Sequence, residues 1–540
     1  MKKLRLFSLV ALILLVTVAC SGNEGGSSSE KKMLTIGKES DIISMDPHQA
    51  TDTLSFEVIN ATIEGLFGYD EDGNLVNALA EDYEVSEDGL VYTFHLREDA
   101  VWDNGLPVTA DDFVYSWRRL ANPDTASQNA YLMDVVSIKN AAAVNAGELS
   151  LEELGVRAID SKTFEVTLEL PVSFFLQLTT FPIFVPLNEE FVESKGEAFG
   201  TSPDNLLANG PYKMTAWNQG HSFIIGKNET YYDHEVVHLD GIEYRIFPDT
   251  QTTVLEFESG NVDIVRLSGE MVDLYQDREE FTIIGSSGIY YIGPNHQMPE
   301  LQNVNLRQAI GRAVNEEQLV STVLNDGSKV SDYIVAADFT KGPDHKDFRE
   351  TSDAYLSYDV ELAQQYWEKA KEELGVDSLT LELLISDTDS MKKCAEYIQS
   401  ELQTNLPGLK IDIKAQPSKQ RLQLMCDGEF ELVLSGWVPV YADPTAYLNL
   451  YTSDSAHNKE KYASDVYDAL MDRVNKGDLV GDVEGRWEAL KEAEKQFIEV
   501  DAGILPLFQS ANIYLINPKV TGIEAHTVGV PFTYKYASLK

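Results

Sequence analysis

The stretch from Tyr83 to Trp117 constrains the fold more than any other part of this 540-residue chain. Residues 83–86 and 90–96 alternate apolar and polar side chains, and a short Glu-Asp-Gly turn separates them, which is typical of a β-hairpin. Thr109 stands three residues before an aspartate, a spacing typical of a helix N-cap, and predicts a helix over 110–120. The pattern therefore predicts a half-buried hairpin that leads into an amphipathic helix.

Length and composition limit the classes of protein to which the chain can belong. With 540 residues, of which 43% are hydrophobic, it can bury large cores and should form more than one domain. It carries 88 acidic residues against 42 Lys and Arg, which gives a formal net charge of −46. Such a charge makes nucleic acid and anionic membrane surfaces poor partners, and it keeps a surface-displayed protein soluble.

The N-terminus has the features of an export signal. Basic residues precede an apolar run over 6–19, which has the length of a signal-peptide core and is too short to span a bilayer. Cys20 and a Gly/Ser-rich segment follow, an order that resembles a bacterial lipoprotein signal. We expect a signal peptide at 1–19, lipid attachment at Cys20 and a flexible tether over 20–32. An ordinary secretory signal with an incidental cysteine is the alternative.

The hairpin and helix also resemble the signature of a known family. The run GLVYTFHLREDAVWDNGLPVTADDFVYSW, from Gly89 to Trp117, is similar without a gap to the peptide/nickel class of extracellular solute-binding proteins. The best-known members are the oligopeptide- and dipeptide-binding proteins of ABC importers. The resemblance covers nearly the whole mature chain. It implies an α/β fold of the periplasmic-binding-protein type (type II, cluster C).

In this family two hinged lobes are accompanied by an extra inserted domain. Lobe I is expected to be discontinuous, lobe II is the insertion, and lobe III closes against lobe I like a jaw. The expected boundaries are 33–63, 188–293 and 509–540 for lobe I, 64–187 for lobe II, and 294–508 for lobe III.

The pattern along the chain supports an α/β architecture. Residues 359–374 form an amphipathic pattern that predicts a helix ending before a glycine. A strand pattern over 379–385, a helical one over 390–402 and a strand pattern over 409–413 indicate a βαβ unit, and hence a partly parallel sheet. The apolar segment 181–187, with two prolines, is expected to be a strand that crosses between domains.

A ligand site is expected in the loop 436–445, because aromatic loops at a domain edge can line adaptable pockets. The alternative for its Trp437 and Tyr441 is ordinary core packing. The family's version of this loop resembles GWxxDYxDP, and its first aspartate binds the α-amine of a peptide. In this sequence that position is Val440. Truncating one side of a buried charge pair typically costs about 2–5 kcal/mol, so the change bears on the ligand.

Two hypotheses follow from Val440. In the first, the ligand lacks a free N-terminal ammonium, as in a blocked or cyclic peptide or a ligand that is not a peptide. In the second, Asp52 supplies the missing carboxylate, because its loop resembles the opposing wall of the site; a solvated turn aspartate is the alternative. The resemblance implies ligand contacts at Thr51, Asp52, Thr53, Asn129, Tyr131, Arg266, Ser268, Gly436, Trp437, Val438, Val440 and Tyr441. Arg266 is either a partner for a ligand carboxylate or a surface arginine.

An enzyme hypothesis arises from His234-Glu235-Val236-Val237-His238, which matches the HExxH motif of zinc proteases. That chemistry needs both histidines one turn apart on a helix. Here the context is a turn that runs into an alternating strand, on which histidines four residues apart would lie about 13 Å from each other. We therefore expect no metalloprotease. No G-x-S-x-G elbow or Walker-type phosphate loop occurs in the sequence either.

The resemblance implies a lipid-anchored substrate-binding protein of an ABC importer, without enzymatic activity or a cofactor. It would capture oligopeptides between two closing lobes and deliver them to a permease with separate ATPase subunits. The chain is expected to work as a monomer on the extracellular face of the bacterial cytoplasmic membrane. Ligands such as nickel chelates, haem, oligosaccharides or a signalling peptide remain open. Cys394 and Cys426 are expected to be buried free thiols, with a disulfide as the alternative.

Overall fold

The computed structural model describes residues 31–70, 74–172, 174–247, 249–268 and 270–540. The expected signal peptide, Cys20 and all but the end of the expected tether lie outside these residues. Within the described ranges, no helix is both long enough and apolar enough to cross a bilayer.

The strands are mostly short, and two of them, β12 and β17, are much longer than the rest. In chain order they are β1 Met33–Lys38, β2 Phe67–Tyr69, β3 Leu75–Asn77, β4 Ala80–Val85, β5 Val91–Leu96, β6 Val156–Asp160, β7 Thr163–Thr167, β8 Tyr212–Asn218, β9 Ser222–Lys227, β10 Gly241–Ile246, β11 Ile264–Leu267, β12 Phe281–Pro294, β13 Lys329–Val330, β14 Leu379–Ser386, β15 Leu409–Gln416, β16 Leu432–Trp437, β17 Leu505–Ile516, β18 Val520–Thr521, β19 Glu524–Ala525, β20 Phe532–Thr533 and β21 Ser538–Leu539.

The longer helices lie in the C-terminal half. In chain order the α-helices are α1 Thr53–Thr62, α2 Ala110–Ala121, α3 Tyr131–Val135, α4 Ala141–Asn145, α5 Phe175–Leu178, α6 Glu189–Lys195, α7 Thr250–Glu258, α8 Glu270–Tyr275, α9 Val304–Arg312, α10 Glu316–Gln318, α11 Val360–Leu374, α12 Asp389–Asn405, α13 Ser418–Asp427, α14 Thr445–Leu448, α15 Asp465–Asn475 and α16 Val483–Lys495. Helices α10 and α16 continue as π-helical turns over Leu319–Leu324 and Gln496–Val500.

One mixed sheet runs through most of the molecule. Its strand order is β15-β14-β16-β12-β17-β11-β1-β10-β9-β8, and β13 pairs with β17 off this path. β14 is parallel to β15 and β16, and β1 is parallel to β10 and β11, whereas β12 and β17 are antiparallel to their neighbours. The βαβ unit predicted from the sequence is therefore confirmed as β14–α12–β15.

Strands β12 and β17 join the two halves of this sheet. Their pairing is regular from Phe281 to Gly285 and irregular from there to Ile289, where the register shifts. The expected lobe boundaries at 293/294 and 508/509 fall within these two strands. The division into three lobes stays a prediction, but the chain does pass between the halves along β12 and return along β17.

A second sheet, of order β4-β5-β7-β6, belongs to the segment 64–187 and contains the predicted hairpin. Helix α2 covers it and buries Trp117 against Phe164, with 5.2 Å between the ring centroids. Its N-terminus forms a capping box, since the Thr109 hydroxyl accepts from the Asp112 backbone and the Asp112 carboxylate accepts from the Thr109 backbone. The predicted helix is confirmed and extends one residue further.

Two expectations are wrong. The segment 181–187 is not a strand but forms a 3₁₀ turn over Pro182–Phe184. Proline has no backbone N–H to donate to a neighbouring strand, so it is better suited to the first position of a helical turn than to the interior of a sheet. A side chain of α2 donates to a carbonyl of this turn: Trp117 Nε1 lies 2.9 Å from the Phe184 carbonyl oxygen. The two cysteines are free, but only Cys394 is buried; Cys426 is exposed.

Candidate ligand-binding site

A cavity of about 330 Å³ lies where the two halves of the large sheet meet. Its walls come from the carboxyl ends of β1 and β11, from the irregular part of β12 and β17, and from the C-terminal segment 526–534. In α/β folds, ligands bind beyond the carboxyl ends of parallel strands. The cavity therefore has the position of a ligand site.

A fixed ion pair forms part of the cavity wall. Lys38 Nζ lies 3.0 Å from Glu57 Oε2, and the Tyr534 hydroxyl donates to Glu57 Oε1 at 2.6 Å. Glu57 is 1% exposed, so its charge needs both partners, because a buried carboxylate is stable only when it is paired and hydrogen-bonded. Burial raises the pKa of Tyr534 well above its ordinary value, which keeps this phenol a donor.

Three of the residues expected to contact ligand line this cavity: Thr53, Arg266 and Val438. All three are exposed to solvent, as a wall open to an entering ligand requires. The structure thus gathers residues that lie far apart in the sequence, at the start of α1, on β11 and just after β16.

Asp52 does not line the cavity. It is the N-cap of α1, where its Oδ1 accepts from the Ser55 backbone at 2.9 Å and its Oδ2 accepts from the Ser55 hydroxyl. Both carboxylate oxygens therefore accept hydrogen bonds from the first turn of the helix. The neighbouring Thr51 is exposed and also lies outside the cavity wall. We therefore do not place the missing amine anchor at Asp52.

Asn129 and Ser268 also have structural partners. Asn129 Nδ2 donates to the Ala50 carbonyl at 3.0 Å, which ties the inserted segment to the loop before α1. Ser268 exchanges a hydrogen bond with Thr250 at 3.1 Å, next to the cavity rather than in its wall.

The aromatic loop packs as the alternative reading of the sequence expects. Trp437 Nε1 donates to the Ala446 carbonyl at 2.9 Å. Gly436 lies against the Tyr290 ring, where an added Cβ would come within 2.8 Å. Tyr441 is buried and stacks on Phe174 at 4.5 Å between centroids. These are packing contacts, and none of the three residues lines the larger cavity.

Val440 lines a second, smaller cavity of about 50 Å³. This cavity shares His526 and Gly529 with the larger one, so the two adjoin. The rest of its wall is formed by Asn60 of α1 and by residues of the inserted segment and of the C-terminal segment, and no Asp or Glu of the described chain is among them. An ammonium group in this pocket would meet no carboxylate.

Tyr131 contributes to a contact between the inserted segment and the C-terminal half of the sheet. Its ring lies 4.2 Å from that of His457, which in turn lies 5.6 Å from Trp437. Burial lowers the pKa of His457 to about 4, and the charge of Lys459 acts in the same direction. The imidazole is therefore neutral in this arrangement at neutral pH.

Sequence reasoning missed the Lys38–Glu57–Tyr534 group. A signal existed for Lys38, because it directly follows the apolar strand pattern that begins at Leu34, and strand ends are where parallel sheets bind ligands. No local signal marks the other two residues. They join Lys38 only because α1 and the C-terminal segment pack together on β1.

The HExxH segment does not form the helix that a zinc protease needs. His234–Val236 is a 3₁₀ turn, the His234 ring nitrogen Nδ1 lies 3.1 Å from the Tyr231 carbonyl oxygen, and β10 follows from Gly241. In the described ranges, no cluster of three or more His, Cys, Asp or Glu side chains is arranged to hold a metal ion.

Two α/β halves joined by two crossing strands, with a cavity between them, are the architecture of solute-binding proteins that close around a ligand. Comparison with known proteins agrees. Residues 74–459 match the family model described as bacterial extracellular solute-binding proteins, family 5 middle. The chain belongs to this family, and it is a binding protein and not an enzyme.

Similar proteins cover the chain almost completely. The dipeptide-binding protein of Lactococcus lactis is 34% identical over 554 residues, covering 100% of this chain and 99% of its own. Among solved structures, the substrate-binding domain of an oligopeptide ABC transporter from Bacillus anthracis has a TM-score of 0.87 and 39% identity, covering 94% of this chain and 99% of that one. Listeria monocytogenes OppA bound to peptide has a TM-score of 0.87 and 35% identity, covering 95% and 100%. The periplasmic-binding-protein fold expected from the sequence is thus confirmed.

The cap at Asp52 gives a first prediction. Replacing an N-cap aspartate by alanine typically costs about 0.5–2 kcal/mol, so Asp52→Ala should lower the thermal unfolding midpoint. Asp52→Asn is the matched control, because asparagine caps as well as aspartate does, and it should unfold close to the wild type. Calorimetry of the three proteins checks this. An equal loss in both variants would show that the negative charge, and not the cap, is what Asp52 contributes.

Proposed function

We propose that this protein captures peptides in the cavity between its two halves and delivers them to the permease of an ABC importer. The observation that carries the proposal is the cavity at the carboxyl ends of β1 and β11, enclosed by residues from both ends of the chain. Relatives named as dipeptide- and oligopeptide-binding proteins support it, as does a structure of Haemophilus influenzae OppA in complex with RPPGFSPFR.

Capture requires a closed and an open arrangement of the two halves. A ligand shifts such an equilibrium only by binding one arrangement more tightly than the other. In the closed arrangement the inserted segment contacts the C-terminal half of the sheet, through Tyr131 with His457 and Phe174 with Tyr441 among others. Peptide bound between the halves would add contacts to both walls, and the closed complex would then be recognised by the permease.

The residues around Val440 indicate how the N-terminus of a peptide would be bound. Val440 faces a pocket without a carboxylate, and Asp52 is committed to α1. We therefore propose that this site binds peptides without a charge-paired N-terminus, so that blocked or cyclic peptides fit as well as free ones. The second candidate is a ligand that is not a peptide; one relative, 28% identical, is named a probable deoxycholate-binding periplasmic protein.

The location is part of the proposal. A lipid on Cys20 would hold the folded domain at the outer face of the cytoplasmic membrane, where extracellular peptides and the permease are both within reach. The binding protein would act as a monomer, and separate ATPase subunits would supply the energy for transport.

Titration with short peptides, each in a free and an N-acetylated form, tests the ligand class. We expect both forms to bind with dissociation constants within about threefold of each other, because the Val440 pocket offers no counter-charge. Val440→Asp should create a preference for the free form, while Val440→Asn, which is polar but uncharged, should not. Binding of neither form would contradict the peptide proposal. A strong preference of the wild type for free peptides would contradict only the uncharged pocket.

The lipid anchor is tested by fractionating cells that express the full chain. We expect the wild type in the membrane fraction and Cys20→Ala in the medium or the soluble fraction, because the acylated thiol is lost. Cys426→Ala is the control, since this thiol is free and exposed in the folded domain and should not affect retention. Membrane retention of Cys20→Ala would rule out the anchor.

Closure should weaken in acid. The pKa of His457 is about 4 in the closed arrangement, below its ordinary value of 6.5, so its stabilising effect is complete above pH 6.5 and is lost as the pH falls through 4. If opening fully exposes the ring, peptide affinity should fall up to about tenfold at a pH of about 5.5, since one pH unit corresponds to 1.36 kcal/mol. Other buried histidines also titrate, so His457→Gln is the comparison. Identical pH profiles of the two proteins would contradict the assignment.

A further inference from the structure

We propose that Arg266, beside Lys38, forms a subsite for a carboxylate of the bound ligand. The inference rests on the proposed function and specifies it: the protein prefers peptides that present a negative charge to the wall formed by β1 and β11. The sequence left open whether Arg266 is a ligand partner or a surface arginine, and the arrangement of the two strands favours the former.

The sheet itself brings the two cations together. β1 and β11 are parallel neighbours, with Ile36 opposite Ile264. Both isoleucines line the cavity, and Lys38 and Arg266 stand two residues further along their strands. Because side chains two residues apart share a face of a sheet, both cations lie on the cavity face at the carboxyl ends of their strands. Ligands bind at this edge of a parallel sheet.

The two cationic side chains differ in whether they are paired within the protein. Lys38 is held by Glu57 and lies 5.9 Å above the Tyr244 and Phe532 rings, so its position is fixed. Arg266 is exposed in the cavity, and no hydrogen bond or ion pair connects its guanidinium to another residue of the described chain. A guanidinium stays charged at all ordinary pH values and presents paired N–H donors that match a carboxylate.

Neither of the two acidic residues in the cavity wall is paired with Arg266 within the described ranges. Glu57 is buried and is matched by Lys38 and by the Tyr534 hydroxyl. Glu39 also lines the cavity, but it is exposed, accepts a hydrogen bond from the Thr250 hydroxyl at 3.2 Å, and forms no ion pair with Arg266 within the described ranges. The formal charges of Lys38 and Arg266 are balanced by those of Glu39 and Glu57 over the wall as a whole. Neither acid is bonded to Arg266 within the described chain, so the N–H donors of its guanidinium stay available to a ligand carboxylate.

The residues around the guanidinium suit an anionic group. Tyr514, on β17, lies directly opposite Arg266 in the antiparallel ladder, and the side chain of Asn512 follows two residues away on the same strand. A phenol and an amide can both donate to a carboxylate beside the guanidinium. Burial raises the pKa of Tyr514, so its hydroxyl remains protonated and able to donate.

The test uses peptides that differ only in charge. A parent peptide is prepared with Glu or Gln at one position and with a C-terminal acid or amide, so that a side-chain carboxylate and a terminal carboxylate are distinguished. Calorimetric titration should show that the wild type binds one of the carboxylate forms about tenfold more tightly than its neutral match. Hydrogen bonds to charged groups are worth about 1.5–3 kcal/mol, which corresponds to about tenfold or more.

Substitutions at Arg266 should remove this preference without preventing binding. For Arg266→Gln we expect the ratio of the two affinities to fall close to one, because the ligand carboxylate loses its charged partner. Arg266→Lys should restore part of the ratio, because it keeps the charge but not the paired donors. Arg245→Gln is the matched control: it removes an arginine of the same sheet that is paired with Glu243, away from the cavity, and should leave the ratio unchanged.

The outcomes separate this inference from the proposed function. If peptides bind but Arg266→Gln keeps the wild-type ratio, or the wild type shows no preference, the subsite is overturned and the peptide-binding function stands. If neutral and acidic peptides alike fail to bind the wild type, the proposed function itself is overturned, and the subsite with it.

Discussion

The antiparallel pairing of β12 with β17 is the constraint on which the rest of the structure depends. The ladder is regular from Phe281 to Gly285, and its register shifts twice beyond that, between Gly285 and Ile289 and again between Tyr290 and Tyr291, so the two halves of the sheet meet at an irregular centre. Tyr290 stacks on Phe508 at 4.8 Å beside this centre, and Ser510 bonds to the Ser286 hydroxyl at 3.2 Å. A few residues that can absorb changes of backbone angle are what a hinge between domains needs. The larger cavity opens at the same place.

The charges of the molecule are distributed unevenly between surface and cavity. The chain as a whole carries −46, yet the wall at the ends of β1 and β11 presents Lys38 and Arg266. Glu57 neutralises one of these cations at the expense of its own hydration, which requires the Tyr534 hydroxyl as a second partner. The acidic surface favours solubility, whereas the unpaired Arg266 in the cavity wall is the group from which we infer a preference for acidic ligands.

The aromatic loop after β16 packs against the inserted segment more than it lines the larger cavity. Tyr441 stacks on Phe174, and Trp437 and Tyr131 enclose His457, so these rings connect the inserted segment to the C-terminal half. Aromatic rings at domain interfaces bury a large area with few rotatable bonds. Residues that a resemblance predicts as ligand contacts can therefore pack between distant segments of the chain instead.

The sequence by itself determined the family, the α/β class, the capped helix after Thr109 and the β14–α12–β15 unit, because hairpin alternation, caps and helical periodicity are local patterns that a window of residues expresses completely. Among the ligand contacts that it predicts, Thr53, Arg266 and Val438 line the larger cavity. It missed Glu57 and Tyr534, and it offered Asp52 as one of two explanations for Val440, whereas the Asp52 oxygens cap α1 in the structure. Only the tertiary structure decided these points. The partner of a charged side chain depends on which distant segments of the chain pack together, and the local sequence around that residue does not contain this information.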